Sequence, residues 1–200
     1  MFVQVITAEV ADAEGLSRQQ DTWEKELRPG AEGFLGSTSG VTEDGRLIVV
    51  ARFESEEAAR RNSERPEQGA WWAETEKTLQ NVNFQNSEKV VTMRGGGSND
   101  AGFVQVMRGK VLDAAKLDEL WSRVGEFEAA MASHRPDVVG DVTVVHTDGS
   151  YSDVIYFTSE EGARANEAKE PPPEMKAMFE EWMSAATVDE YLDLKNPRLI

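Results

Sequence analysis

The apolar positions of this chain fall into two successive series with the same order. Residues 2–9 form a β-branched and aromatic run, opened by Phe2-Val3-Gln4-Val5, which predicts a strand. Leu16, Trp23 and Leu27 follow at helical spacing and stop at Pro29-Gly30, a natural helix end. Residues 34–42 and 46–53 flank Glu43-Asp44-Gly45, and Asp-Gly between apolar runs predicts a hairpin, because glycine tolerates the positive φ of a tight turn. Ser55 stands where a helix N-cap is expected, with Glu56-Glu57 in the first turn, where the helix dipole favours negative charge. Pro66 breaks this helix in two, the second piece carrying Trp72, Thr75 and Leu79. A last strand is expected over Val82–Met93.

The second series repeats the first. Phe103-Val104-Gln105-Val106 answers Phe2-Val3-Gln4-Val5, and residues 157–166 answer residues 53–62. The offset is 101 at the first match and 104 at the later ones, which places a small length difference in or after the first helix. Residues 113–132 set Leu117, Leu120, Val124, Phe127 and Met131 on one helical face. A hairpin follows, with residues 138–147 and 151–157 about Asp148-Gly149. Ser159 is the matching N-cap, and Pro171-Pro172-Pro173 the matching break. Beyond it lie Met175, Met178, Phe179, Trp182 and Ala186, then a weaker strand over Glu190–Leu194.

Each copy therefore reads β-α-β-β-α-β, the ferredoxin-like α+β unit. Residues 1–94 form repeat 1, residues 95–102 a glycine-rich linker, and residues 103–200 repeat 2. A repeat of this length marks duplicated domains and not a solenoid. One unit leaves a sheet face bare, and that face must be covered. The two repeats are accordingly expected to close sheet to sheet, as a pseudo-dimeric α+β barrel within one chain; further homo-oligomerisation stays open.

Composition narrows the function without naming it. The net charge is −16, with −7 on residues 1–100 and −9 on residues 101–200, so both copies are acidic. Such a field repels phosphate backbones and anionic lipid, which argues against nucleic acid or a membrane as partner. There is no cysteine, so disulfides and thiolate chemistry are excluded. No signal-like start and no apolar run of membrane-spanning length is visible, and a cytoplasmic protein is expected.

The strand order, with the segments Phe53–Trp72 and Phe157–Trp182, resembles the dimeric α+β barrel superfamily. More narrowly it is similar to the antibiotic-biosynthesis-monooxygenase-like (ABM-like) group. The resemblance implies a cleft between helices and sheet for a small aromatic molecule, and cofactor-independent oxygenation of polyketide-like aromatics. It also implies a pocket using an asparagine and a tryptophan near the second helix. Asn62 with Trp71 or Trp72 matches that segment in copy one. Asn166 matches in copy two, where Met175 and Lys176 stand opposite the tryptophans. Haem-degrading members use a histidine on the second helix, and neither His134 nor His146 falls there. The expectation is a small-molecule ligand, with no cofactor and no metal; the alternative is a non-catalytic binding or assembly protein.

The candidate ligand-pocket residues are Asn62, Trp71, Trp72, Asn166, Trp182 and His146. Trp71 and Trp72 point about 100° apart on a helix, so one is expected in the core and one in a pocket or contact. Asn62 and Asn166 each need a hydrogen-bond task inside a helix, either a backbone group near the proline break or a substrate carbonyl. His146 lies beside the hairpin turn near Asp148 and Tyr151, as a near-neutral acid or base or else simply solvated. His134 reads as a helix C-terminal cation. Glu160-Glu161 and Glu180-Glu181 diverge on their helices, so they do not form a metal set. The Gly95–Gly97 run precedes no helix and is no phosphate cradle. The stripe from Met175 to Ala186 is expected in the core.

Overall fold

The computed structural model describes residues 1–200, which divide into two compact units. Unit 1 is Met1–Glu88 with Arg198–Ile200, and unit 2 is Lys89–Pro197. In chain order, unit 1 holds β1 (Phe2–Val10), α1 (Ala13–Thr22), β2 (Phe34–Val41), β3 (Arg46–Phe53), α2 (Glu56–Ser63), α3 (Pro66–Thr75) and β4 (Leu79–Ser87). Unit 2 holds β5 (Val90–Met93), β6 (Phe103–Lys110), α4 (Ala114–Ser122), α5 (Val124–His134), β7 (Val138–Val145), β8 (Ser150–Phe157), α6 (Glu160–Glu167), α7 (Pro173–Ala185) and β9 (Glu190–Leu194). A final strand, β10 (Arg198–Leu199), belongs to unit 1.

Each unit is a five-stranded antiparallel sheet with helices, in the orders β10-β2-β3-β1-β4 and β5-β7-β8-β6-β9. The tandem two-repeat α+β fold is thus present. The fifth strand of each sheet is the feature that repeat counting does not give. Val82–Met93 is not one strand but two, ending in β4 of unit 1 and resuming as β5 of unit 2. The units divide at Glu88/Lys89 and not at residue 94, because residues 90–93 pair with β7. The glycine-rich segment therefore lies inside unit 2. Arg94, Gly95 and Gly96 all take positive φ and turn the chain from β5 towards β6. Gly140 must also be glycine, since a Cβ there would collide with the carbonyl oxygen of Gly96.

The caps follow the sequence. Ser55 Oγ accepts from Ala58 N at 3.2 Å and Ser159 Oγ from Gly162 N at 3.1 Å, while Asp12 and Asp113 cap α1 and α4. Residues 113–132 do not form one helix: the chain breaks at Arg123, whose φ of −108° and ψ of 16° leave the helical region. Copy one solves the same stretch with a π-helical turn over Trp23–Leu27, then a 3-10 turn over Arg28–Gly30. The length difference between the copies falls here.

Cores form where helices meet sheet. Phe2, Phe53, Ala58 and Ala59 pack together in unit 1, with Ala8, Leu16, Leu47 and Leu79 farther along. Unit 2 packs Phe103, Met131, Val138, Phe157, Ala163 and Met175. No helix is long and apolar enough to cross a membrane. Met175 is 1% exposed and its neighbour Lys176 is exposed. Met175→Ala is expected to cost about 2–5 kcal/mol, and Lys176→Ala to stay within about 0.5 kcal/mol, as read from urea-unfolding midpoints.

Candidate functional site

Between α1, α3 and the sheet of unit 1 lies a cavity of about 320 Å³. Pockets for small organic ligands begin at about 300 Å³. Its floor is the helix-facing side of β1, β2 and β3, reached by Gln4, Ile6, Ser37, Ser39, Val49 and Ala51. Six aromatic side chains, Trp23, Phe34, Phe53, Trp71, Trp72 and Phe84, wall it. Their rings form a continuous series: Trp23 lies 5.0 Å from Phe34 and 6.4 Å from Trp71, Trp71 is 6.0 Å from Trp72, and Trp72 is 5.2 Å from Phe84. These are edge-on and tilted contacts, the arrangements that ring quadrupoles favour.

Two indole N–H groups fix this wall. Trp71 Nε1 donates to the Gln19 carbonyl at 2.8 Å, tying α3 to α1. Trp23 Nε1 donates to Gln68 Oε1 at 2.9 Å, tying the π-helical turn to α3. Trp71 and Trp72 do point apart, yet both line the cavity, and Trp72 also packs against the core cluster of Ala8, Leu16, Leu47 and Leu79. The lumen wraps around that side of α3, so Trp71 meets it towards α1 and Trp72 towards Phe84 on the edge strand β4.

Asn62 also lines the cavity and is 7% exposed. Its Oδ1 accepts from Arg65 Nη1 at 2.9 Å, and the same Nη1 lies 3.1 Å from the Leu27 carbonyl. The structural bond and the place in the wall coexist in one side chain. At the opposite edge the last residues of the chain close the lining. Arg198 on β10 and Ile200 just after it reach the cavity, and Arg198 bonds to Asp21 and to Glu24. The bond from Arg198, and then its charge, hold the Asp21 carboxyl below its ordinary pKa. Arg198 is the one charged side chain in the lining, which contains no side-chain carboxylate, imidazole or thiol.

Trp23, Gln68 and Arg198 are lining residues that sequence reasoning did not propose. Gln68 lies three residues before Trp71 on the same helix, and helical spacing carries that signal. Trp23 stood on the predicted apolar face. Arg198 had no local signal, because only strand pairing at the end of the chain brings it there.

No protein-family model matches the sequence, and neither does any curated protein. Solved structures do match. A candidate monooxygenase from Lactobacillus acidophilus superposes with a TM-score of 0.71 at 12% identity, over 100% of this chain and 99% of that one. An anthrone oxidase-like protein gives a TM-score of 0.65 at 12% identity, over 99% and 92%. An uncharacterised ferredoxin-fold protein from Listeria monocytogenes, related to antibiotic biosynthesis monooxygenases, gives 0.51 at 8% identity, over 97% and 94%. The chain has the ABM-like α+β fold, in tandem. At these identities the likeness is one of fold.

Within this ABM-like tandem the two copies treat the helix–sheet layer differently. Pro66 and Pro173 both begin their helices, so the offset is 107 from there on, three more than at Asn62 and Asn166. The helix ends agree: Ala11 N and Asp12 N donate to the Thr78 carbonyl, and Leu112 N and Asp113 N to the Ala185 carbonyl. Trp71 and Trp72 are therefore answered by Met178 and Phe179, not by Met175 and Lys176. The extra prolines absorb three residues before the helix. By the same register Met175 takes the place of Gln68, and Trp182 that of Thr75. Both fill space. Met175 is buried in the core, and Trp182 packs edge-on against Tyr151 at 5.5 Å, in a cluster with Leu117, Val145 and Ala185.

Three candidates thus lie in unit 2, apart from the cavity: Asn166, Trp182 and His146. Asn166 Nδ2 donates to the Gly162 carbonyl at 2.9 Å, and Lys169 Nζ donates to its Oδ1. His146 is not solvated; it is 4% exposed, with Nε2 3.0 Å from Ser152 Oγ. Burial, then the nearby charge of Arg108, pushes its pKa down to about 4, so it stands neutral at pH 7.

The floor of unit 2 carries a feature that composition hid. Asp141 and Asp153, on β7 and β8, are both buried beside Thr143. The Thr143 hydroxyl lies 3.0 Å from Asp153 Oδ1 and 3.4 Å from Asp141 Oδ1. Burial, then the charge of Asp153, raises the Asp141 carboxyl well above its usual range, and burial raises Asp153 to about 6. Two carboxyls so placed share one proton. Both folded pKa values exceed the unfolded ones, so their contribution is fully present in acid and declines as pH rises through about 6. Wild-type stability is expected to fall from this source between about pH 4 and 7, since both carboxyls lose protons more readily in the unfolded chain. Asp141→Asn should flatten that decline and raise the melting temperature at pH 8, as measured by thermal unfolding across pH.

Proposed function

We propose that unit 1 binds a small aromatic organic molecule in this cavity and oxidises it with molecular oxygen, without a metal or organic cofactor. The observation that carries the reading is the cavity itself, a space of about 320 Å³ walled by six aromatic rings and edged by neutral amides and hydroxyls. Flat apolar ligands gain dispersion contacts from such rings. The amides Gln4, Gln20, Asn62 and Gln68 can orient ring oxygens by hydrogen bonds.

In such a reaction the substrate supplies the electrons. A C–H bond made acidic by a neighbouring carbonyl loses its proton to water before the substrate is enclosed, and the bound carbanion adds oxygen. The peroxide formed takes a proton from water on release and loses a water molecule, leaving a new C=O bond. One oxygen atom enters the product and the other leaves as water. The protein has to hold the substrate, exclude bulk water and stabilise negative charge on the ring oxygen. That one of the similar structures is an anthrone oxidase-like protein is in keeping with this chemistry.

The rival reading is a non-catalytic binding protein. In its favour, the lining holds no side-chain carboxylate, imidazole or thiol to act as a base. Oxygen uptake with a panel of anthrones separates the two. The expected result is one oxygen consumed per anthrone, above the uncatalysed rate. Trp72→Ala is expected to lower kcat/KM about tenfold or more, which is at least about 1.4 kcal/mol of lost transition-state binding. Quenching of tryptophan fluorescence by anthrones with no enzymatic oxygen uptake would support the rival.

A further inference from the structure

We infer that Gln68 is a substrate-orienting donor that selects ligands carrying a negatively charged oxygen on an aromatic ring. The inference rests on the proposed cavity reading and names the ligand class that this cavity prefers.

The orientation of the Gln68 amide follows from its neighbour. An indole N–H can only donate, so Trp23 Nε1, 2.9 Å away, fixes the Gln68 oxygen on its own side. The amide nitrogen, with two N–H groups, is left for the lumen that Gln68 lines. Asn62 obeys the same logic, because a guanidinium also only donates and Arg65 takes its Oδ1. Two amides that line one cavity therefore have their acceptors occupied by the protein and their donors to offer. Arg198, the cation in the lining, is bound by Asp21 and Glu24, so its charge is already answered. For an anionic ligand oxygen the Gln68 amide offers two N–H groups, beside the hydroxyls of Ser37 and Ser39 on the floor.

The second copy shows what removing this device looks like. Gln68 is answered there by Met175, 1% exposed in the core. Asn166, the partner of Asn62, spends its N–H on the Gly162 carbonyl. Trp23 falls in the stretch where the offset passes from 101 to 104, opposite Val124 to Phe127, and none of those residues has a side-chain N–H to orient an amide. All three elements of the donor arrangement are absent together from the second copy.

The test compares 2,4-dinitrophenolate, ionised at neutral pH, with 1,3-dinitrobenzene, which has the nitroaromatic ring without the oxyanion. Binding of each to the full chain is followed by tryptophan quenching and calorimetry. Gln68→Met, the residue of copy two, is expected to weaken the phenolate about tenfold or more, since bonds to charged groups are the stronger kind. Dinitrobenzene should stay within about twofold. Gln68→Glu keeps an acceptor for Trp23 but removes both N–H groups, and should weaken the phenolate at least as much. Trp23→Phe, acting through the freed amide, should lower the phenolate-to-dinitrobenzene preference. Equal weakening of both probes by the Gln68 variants would mean a packing role and overturn the inference while leaving the cavity reading intact. Binding of dinitrobenzene without the phenolate would overturn the inference alone, and failure of both probes to bind wild type would overturn both.

Discussion

The indole N–H groups of Trp23 and Trp71 each meet an acceptor, the Gln68 amide oxygen and the Gln19 carbonyl, and the cavity of unit 1 depends on those two bonds. Layers of helix on sheet tend to close, because an empty space forfeits dispersion contacts along its whole lining. Here the large rings are held upright against one another and their polar ends are anchored in α1 and α3. They line the space without falling into it. The π-helical turn over Trp23–Leu27 contributes by bringing Trp23 to the lumen while Leu27 stays buried. Such turns often accompany functional sites.

Duplication makes the cost of an open layer visible within one molecule. Both copies keep the caps, hairpins and strand order, since these set the backbone. They part at a few inward positions. Gln68 and Thr75 in unit 1 give way to Met175 and Trp182 in unit 2, and the layer there is packed by Tyr151, Trp182 and Met175. The three-residue change of register at the proline run shifts which side chains correspond, so a fixed offset misassigns the tryptophan pair.

The polar interiors diverge in kind as well. The floor of unit 1 offers serines, where unit 2 buries Asp141 and Asp153 with Thr143. Two carboxyls that share a proton in a low-dielectric layer tie the stability of unit 2 to pH in a range where ordinary surface carboxylates are already ionised. The neutral amides of unit 1 carry no such dependence.

Much of the fold was legible in local sequence. Ser55 and Ser159 announced caps, Asp44-Gly45 and Asp148-Gly149 announced hairpins, and the repeated Phe-Val-Gln-Val announced the duplication, because each depends only on short-range backbone preferences. Asn62, Trp71 and Trp72 are named by the resemblance to the ABM-like group and not by local preference, since they lie on two helical pieces either side of Pro66. Tertiary structure alone decided the rest. Strand pairing assigned residues 90–93 to unit 2 and Arg198–Ile200 to unit 1, through hydrogen bonds between segments remote in sequence. It also decided that Trp71 and Trp72 share one lumen, that His146 is buried, and that Asp141 and Asp153 are buried together beside Thr143. Those outcomes depend on which side chains meet across the layer, and periodicity along one segment carries no information about what stands opposite it.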